Sequence, residues 1–172
     1  MNDKKNVIVI GCGSVANKHI NNLLKLNFLP FVLLRNKKNI NLINKENRKK
    51  ITIIDNLKNI KSYNFFFSII ANKTNNHHQY INFFIKKKIH IYCEKPLTNN
   101  LKKIINIKSK IKKNFNFKVG YQWKETEIIK YLKELLINEK AIHANLYVGH
   151  NVDYWRKSKI NNKSYYVYKK QG

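Results

Sequence analysis

Acidic residues are scarce: nine Asp plus Glu stand against 35 Lys plus Arg in 172 residues, a formal net charge of +26. Cysteine is scarcer still, and Cys12 and Cys93 sit in apolar runs without metal-ligand spacing. This excludes a disulfide framework and a zinc site, so no metal is expected and a reducing cytoplasm is the default compartment. No apolar run approaches the ~18–20 residues of a membrane span, and Met1 to Lys5 leads straight into a strand-like run rather than a secretory leader. The chain therefore reads as neither membrane-spanning nor secreted. Arginine is nearly missing, with three Arg beside 32 Lys, 28 Asn and 24 Ile. Proteins that read phosphates and base edges favour Arg for its bidentate fork, and here Lys is spread along the chain rather than clustered. The charge then describes a solvated surface shaped by A- and T-rich codons. It implies salt-sensitive stickiness to polyanions but no specific nucleic-acid partner.

What is present supports a folded core. The hydrophobic fraction, 43%, is close to the globular average, and the length suits one ordinary domain of roughly 100–200 residues. The β-branched run Asn6-Val-Ile-Val-Ile10 fits a buried parallel strand and ends in Gly11-Cys12-Gly13-Ser14-Val15-Ala16. A helix follows, with Val15, Ile20, Leu23 and Leu24 on one face and Lys18, His19, Asn22 and Lys25 mostly opposite. After a break at Asn27 to Pro30 comes a second strand, Phe31 to Leu34, which completes a βαβ unit. A short helix near Ile40 to Asn44 and strands at Ile51 to Ile54 and Phe65 to Ile70 continue the chain. Next come a helix over 75–88 with Tyr80, Ile81, Phe84 and Ile85 inward, and a strand at Ile89 to Cys93. Thr98 then caps a helix carrying Leu101, Ile104, Ile105 and Ile111, and the sixth strand is Phe115 to Val119.

This alternation predicts an α/β, Rossmann-type doubly wound parallel sheet, with ligands at the carboxyl ends of its strands. The dinucleotide-binding domain is assigned to residues 1–124. Beyond it, a helix over 125–137 and an alternating strand on Ile142, Ala144, Leu146 and Val148 open an α+β domain that residues 125–172 do not complete.

Gly11-Cys12-Gly13-Ser14-Val15-Ala16 fits the G-x-G-x-x-G/A fingerprint. Gly11 makes the tight turn, Gly13 lets the backbone approach a pyrophosphate, and Ala16 allows close helix packing. The N–H groups of the following helix, from Ser14 and Val15 onward, then face the phosphates. The ribose partner belongs at the end of the second strand, where Arg35-Asn36-Lys37-Lys38 offers no carboxylate. Arg35 and the lysines either meet a 2′-phosphate or form a solvated loop. The cofactor is thus NAD or NADP, with a lean toward NADP.

Three further motifs accompany the glycine loop. Ser68-Ile-Ile-Ala71-Asn72-Lys-Thr-Asn-Asn-His77 resembles the cofactor-lining A-T-P-x-x-x-H segment of the Gfo/Idh/MocA family of NAD(P)-dependent oxidoreductases. Cys93-Glu94-Lys95-Pro96-Leu97 resembles its E-K-P signature, and Val119-Gly120-Tyr121-Gln122-Trp123-Lys124 resembles its V-G-(F/Y)-N-x-R strand end. Val148 to Arg156 is similar to the segment entering the second domain of sugar-modifying members. The resemblance implies hydride transfer between nicotinamide and a secondary alcohol or ketone of a sugar or sugar-nucleotide, with Lys95 catalytic. It assigns cofactor contacts to Gly11, Gly13, Ser14, Val15, Arg35, Asn36, Ala71, Asn72, His77, Glu94, Lys95, Gln122, Trp155 and Arg156. Several positions depart from the family pattern: Lys73 replaces Pro, Gln122 and Lys124 replace Asn and Arg, and Ile160-Asn161-Asn162 replaces an Asp-Tyr-Arg.

The physical argument for Lys95 is separate. An ammonium in a proline-fixed turn after a buried strand is placed to orient and polarise a hydroxyl or carbonyl, and Glu94 can hold it or tune it. His77 opens a helix, where it either bonds locally or touches cofactor. Trp155 and Arg156 reach the nicotinamide side or simply pack together. The residues 163–172 resemble the lead-in to the family's G-G-G motif, which precedes a catalytic Asp and His, so the chain is expected to be truncated and to lack them. Alternatives are a catalytically silent dinucleotide-binding protein and, as a third class, a basic nucleic-acid-binding module. The resemblance also implies a homo-oligomer where the second domain is complete.

Overall fold

The computed structural model describes residues 4–140, 142–147 and 149. The chain forms two compact units, with the boundary between Gly120 and Tyr121.

In the first unit, β1 (Asn6–Ile10) leads through the glycine loop into α1 (Ser14–Lys25) and returns as β2 (Leu29–Leu33). A 3₁₀ segment (Lys37–Leu42) and the short α2 (Lys45–Arg48) connect to β3 (Thr52–Ile54), and a second 3₁₀ segment (Leu57–Ser62) connects to β4 (Phe65–Ile70). The 3₁₀ turn Thr74–Asn76 runs into α3 (His77–Lys86), followed by β5 (His90–Cys93), α4 (Leu101–Lys110) and β6 (Phe117–Val119). All six strands are parallel, in the order β3-β2-β1-β4-β5-β6. The chain works outward from β1 to β3, then crosses back to start the second half at β4. The crevice between β1 and β4 is therefore the topological switch point, where open α/β sheets bind ligands.

The register brings one end of every strand to a common edge. Ile10 lies beside Leu33 and Ile70, Ile70 beside Cys93, and Cys93 beside Val119. The residues that follow, Gly11, Leu34, Ala71, Glu94 and Gly120, line that edge.

The period-two pattern of β1 sends its side chains into two cores. Val7 and Val9 pack with Ala16, Ile20, Leu23, Val32 and Ile69 under α1. Ile8 and Ile10 pack on the opposite face with Tyr80, Ile81 and Phe84 of α3, together with Ile91 and Ile107. Each large apolar side chain buried this way contributes about 1.5–3 kcal/mol. Asn27, just past the end of α1, takes the left-handed conformation (φ 62°) usually given to Gly at a helix terminus, and Phe28 N–H then closes on Leu23 O at 2.9 Å.

Four expectations change. Val15 is 42% exposed: it lies in the first turn of α1, at the mouth of the crevice rather than over the sheet. The inward positions of α1 are Ala16, Asn17, Ile20 and Leu23. In α4 only Ile107 is fully buried, while Leu101 and Ile105 are exposed, because the helix lies toward the sheet margin with α3 as its main helical neighbour. Thr98 does not cap α4. Its hydroxyl accepts from Asn100 N–H at 3.2 Å, a local turn that ends one residue before the helix, and Asn100 is the cap residue.

The fourth change falls in the second unit, which holds a 3₁₀ turn (Gln122–Glu125) and α5 (Glu127–Leu135). Thr126 Oγ1 donates to Trp123 O at 2.7 Å and joins the two. Residues 142–147 form no strand. A strand requires a neighbouring ladder, and the described residues of this unit provide none; Val148 lies outside the described residues.

Candidate functional site

The glycine loop has two glycines with different jobs. Gly11 has φ +125°, and a Cβ there would lie 2.6 Å from Ala71 O. β1 exits against the β4 end at that point, where Ala71 N–H donates to Ile10 O at 2.9 Å. The fold itself therefore demands Gly11. Gly13 is different: a Cβ on it would meet nothing within 4 Å. It is the N-cap residue of α1 and offers no side-chain hydrogen bond, so no cap side chain fills the first-turn N–H groups beside exposed Ser14 and Val15. A cavity of about 390 Å³ opens there, lined by Cys12, Gly13, Ser14, Asn17, Lys18 and Asn44 among others. Burial raises the Cys12 thiol above its ordinary range, which keeps it neutral beside this anion-favouring helix end.

Asn17 holds the loop in shape. Its Nδ2 donates to Cys12 O, Gly13 O and Leu42 O at 3.1, 3.0 and 2.8 Å, and its Oδ1 accepts from Asn44 N–H at 2.9 Å. A polar side chain on the buried face of α1 thus ties the loop to the segment after β2.

At the end of β2, Arg35 is exposed, with its guanidinium 5.4 Å above the ring of buried Tyr80. Burial raises the Tyr80 hydroxyl and the Arg35 charge partly counters it. Asn36 Oδ1 accepts from Lys38 N–H at 2.9 Å and caps the 3₁₀ segment, so that oxygen is engaged locally.

Across the switch point, the β4 and β5 ends carry Ala71, Asn72, His77, Glu94 and Lys95. His77 is 1% exposed, and its ring nitrogens lie 3.1 Å from Pro96 O and 3.0 Å from Asn72 O. Its bonding is internal: it clasps the two loops that bear Asn72 and Lys95. Cys93 Sγ lies 3.5 Å from the same ring, and burial, aided by the Glu94 charge, pushes this thiol up to about 12. Asn72 Oδ1 is buried and has no protein partner. Lys95 is exposed in a turn whose Lys95–Pro96 peptide is cis.

Glu94 binds His19 rather than the Lys95 ammonium. His19 Nε2 lies 2.7 Å from Glu94 Oε1. Burial by itself would raise the carboxyl, but the His19 hydrogen bond and charge, the Lys95 backbone N–H and the Lys95 charge bring it below its ordinary value. His19 and Asn17 are site residues that pattern reading missed. The available signal for His19 was its i, i+4 relation to Val15, which puts both on the helix face turned toward the mouth.

A family model described as an oxidoreductase family with an NAD-binding Rossmann fold matches residues 5–121. The chain belongs to this Gfo/Idh/MocA family. No curated protein matches it in sequence. Among solved structures, myo-inositol dehydrogenase from Lactobacillus casei, in complex with NAD(H) and myo-inositol, is 18% identical with a TM-score of 0.70, covering 79% of this chain and 42% of that one. Myo-inositol 2-dehydrogenase from Lactobacillus plantarum is 19% identical (TM-score 0.66; 79% and 42% covered). The WlbA dehydrogenase from Chromobacterium violaceum, in complex with NADH and UDP-GlcNAcA, is 16% identical (TM-score 0.67; 81% and 41% covered). At these identities the likeness establishes the fold. The chain spans about two fifths of the length of these structures.

The Gfo/Idh/MocA domain fits a dinucleotide on its own geometry. The space beside Gly13, the uncapped first turn of α1 and the orphaned Asn72 Oδ1 lie along one edge of the sheet, spanning the switch point. Gln122 belongs to the second unit, and Trp155 and Arg156 lie outside the described residues. Among the described residues no helix is long and apolar enough to cross a membrane.

Proposed function

We propose that this chain binds NAD(P) at the carboxyl edge of its sheet and serves hydride transfer at a secondary alcohol or ketone carbon of a sugar-like or cyclitol substrate. The observation that carries the reading is the juxtaposition, across one switch point, of the Gly11–Gly13 loop and the Glu94–Lys95 turn, bridged by His19 and Glu94. The first-turn N–H groups of α1 hold the pyrophosphate, and Asn17 keeps the loop carbonyls turned away from it. Arg35 meets the ribose side and favours a 2′-phosphate, since no carboxylate follows β2. Asn72 faces the nicotinamide half. A bound nicotinamide supplies the hydride acceptor or donor. The Lys95 ammonium hydrogen-bonds the substrate oxygen and, in the reductive direction, donates its proton to that oxygen as the hydride reaches the carbonyl carbon, which leaves a neutral amine that takes the proton back in the reverse reaction. Bound myo-inositol and UDP-GlcNAcA in the structural neighbours support a polyhydroxylated substrate class.

Calorimetric titration of the full chain with NAD, NADP and ADP tests the cofactor reading. Micromolar to submillimolar binding of NAD or NADP is expected, and no binding of any of the three would overturn it.

A further inference from the structure

His19 lies on α1, the helix whose first turn faces the pyrophosphate, yet its ring ends on Glu94, which belongs to the other half of the sheet. The hydrogen bond is 2.7 Å long, between side chains that are 20% and 19% exposed, and it joins residues 75 apart in sequence. The Tyr92 ring stands edge-on to the imidazole at 5.4 Å. The Tyr92 hydroxyl occupies the place a Gly120 Cβ would take, 2.6 Å from that position, with Glu94 Oε2 at 3.4 Å. The imidazole on α1, the helix after β1, thus meets Glu94 and Tyr92 of the β5 end, and those same two side chains pack against Gly120 after β6. The Lys95 backbone N–H and ammonium also favour the charged Glu94 carboxylate. The acids of residues 4–120 are Glu46, Asp55 and Glu94, and Glu94 takes a histidine where lysines abound.

We propose that His19 is a positioning residue: it latches the two halves of the sheet across the switch point and so sets the Glu94–Lys95–Pro96 turn at a fixed distance from the pyrophosphate-binding helix. This rests on the cofactor reading above. The latch acts on a ligand that spans both halves and leaves untouched a ligand confined to the first half. NAD spans them; ADP, which ends at the pyrophosphate, does not. Losing a hydrogen bond to a charged partner here weakens NAD binding by about tenfold or more.

The test titrates NAD and ADP into the full chain as wild type, His19→Ala and His19→Gln, with circular dichroism as the check of folding. Gln carries a donor at nearly the reach of Nε2. Expected are an NAD affinity about tenfold weaker in His19→Ala, an ADP affinity within about twofold of wild type, and recovery of NAD affinity to within about threefold in His19→Gln. The Lys95 amide resonance moves in His19→Ala and returns in His19→Gln. Unchanged NAD affinity in His19→Ala overturns the latch and leaves the cofactor reading standing. Equal loss of NAD and ADP also overturns it, since His19 would then serve the glycine loop alone. A wild-type chain that binds neither ligand overturns both readings.

Discussion

Glu94 Oε1 sits 2.7 Å from His19 Nε2, and this pair connects the halves of a sheet whose switch point lies between them. Because the pair and the Lys95 N–H hold the folded-state carboxyl below its ordinary value, Glu94 contributes stability above the unfolded-state value of about 4.5. That contribution is lost as pH falls through the depressed folded-state value. Thermal melts between pH 3 and 6 should therefore show a decline on acidification that is shallower in Glu94→Gln. An identical slope in the variant would mean that the pair adds nothing.

The two glycines of the loop should separate cleanly. Gly11→Ala forces φ +125° on a residue with a Cβ and drives that atom against Ala71 O, a cost of about 2–4 kcal/mol. Gly13→Val meets open space and loses only N-cap preference, about 1 kcal/mol or ~2–4 °C in Tm, while NAD binding drops below detection. Calorimetric melts and titrations of both variants measure this, and a Gly13→Val chain that binds NAD as wild type does would refute a pyrophosphate seat there.

Asn17→Ala removes the donor serving three carbonyls and the acceptor of Asn44 N–H. Unsatisfied groups at a part-buried site cost about 1–3 kcal/mol together. Urea denaturation should show that loss, along with weaker NAD binding because the loop is no longer pinned.

Arg35→Asp should shift preference from NADP toward NAD by about tenfold or more, since it replaces a phosphate donor with a ribose-hydroxyl acceptor. It also removes the cation above Tyr80. Competitive titration of the two cofactors decides it, and a wild-type preference for NAD of about tenfold would show that Arg35 serves Tyr80 instead.

Cysteine labelling offers a readout without activity. The Cys93 thiol, buried and pushed up to about 12, should resist iodoacetamide at neutral pH until the chain unfolds. Cys12, partly exposed in the glycine loop, should label first, and saturating NAD should slow it severalfold. Equal labelling with and without NAD would argue against a cofactor over that loop.

Much of this protein was legible before any fold was known. The apolar runs at Asn6–Ile10 and Phe65–Ile70 are strands, because β-branched and aromatic runs of that length suit buried parallel strands. The glycine loop lies between strand and helix, and Lys95 stands at a strand's carboxyl end, since strand-helix alternation forces parallel crossovers. These are short-range properties, set by backbone sterics and side-chain period within a few residues. Tertiary structure alone decided the rest. Val15 faces the crevice mouth, Leu101 and Ile105 stay exposed on α4, and Asn17 rather than a hydrophobe fills the inner face of α1. His19, grouped by periodicity with the solvated lysines, closes on Glu94. A helical face shows that a side chain points away from its own sheet contact, but what it meets depends on which strands become neighbours. That order is set by long crossovers and by the packing of two cores, and neither is encoded within the few residues over which periodicity and propensity act.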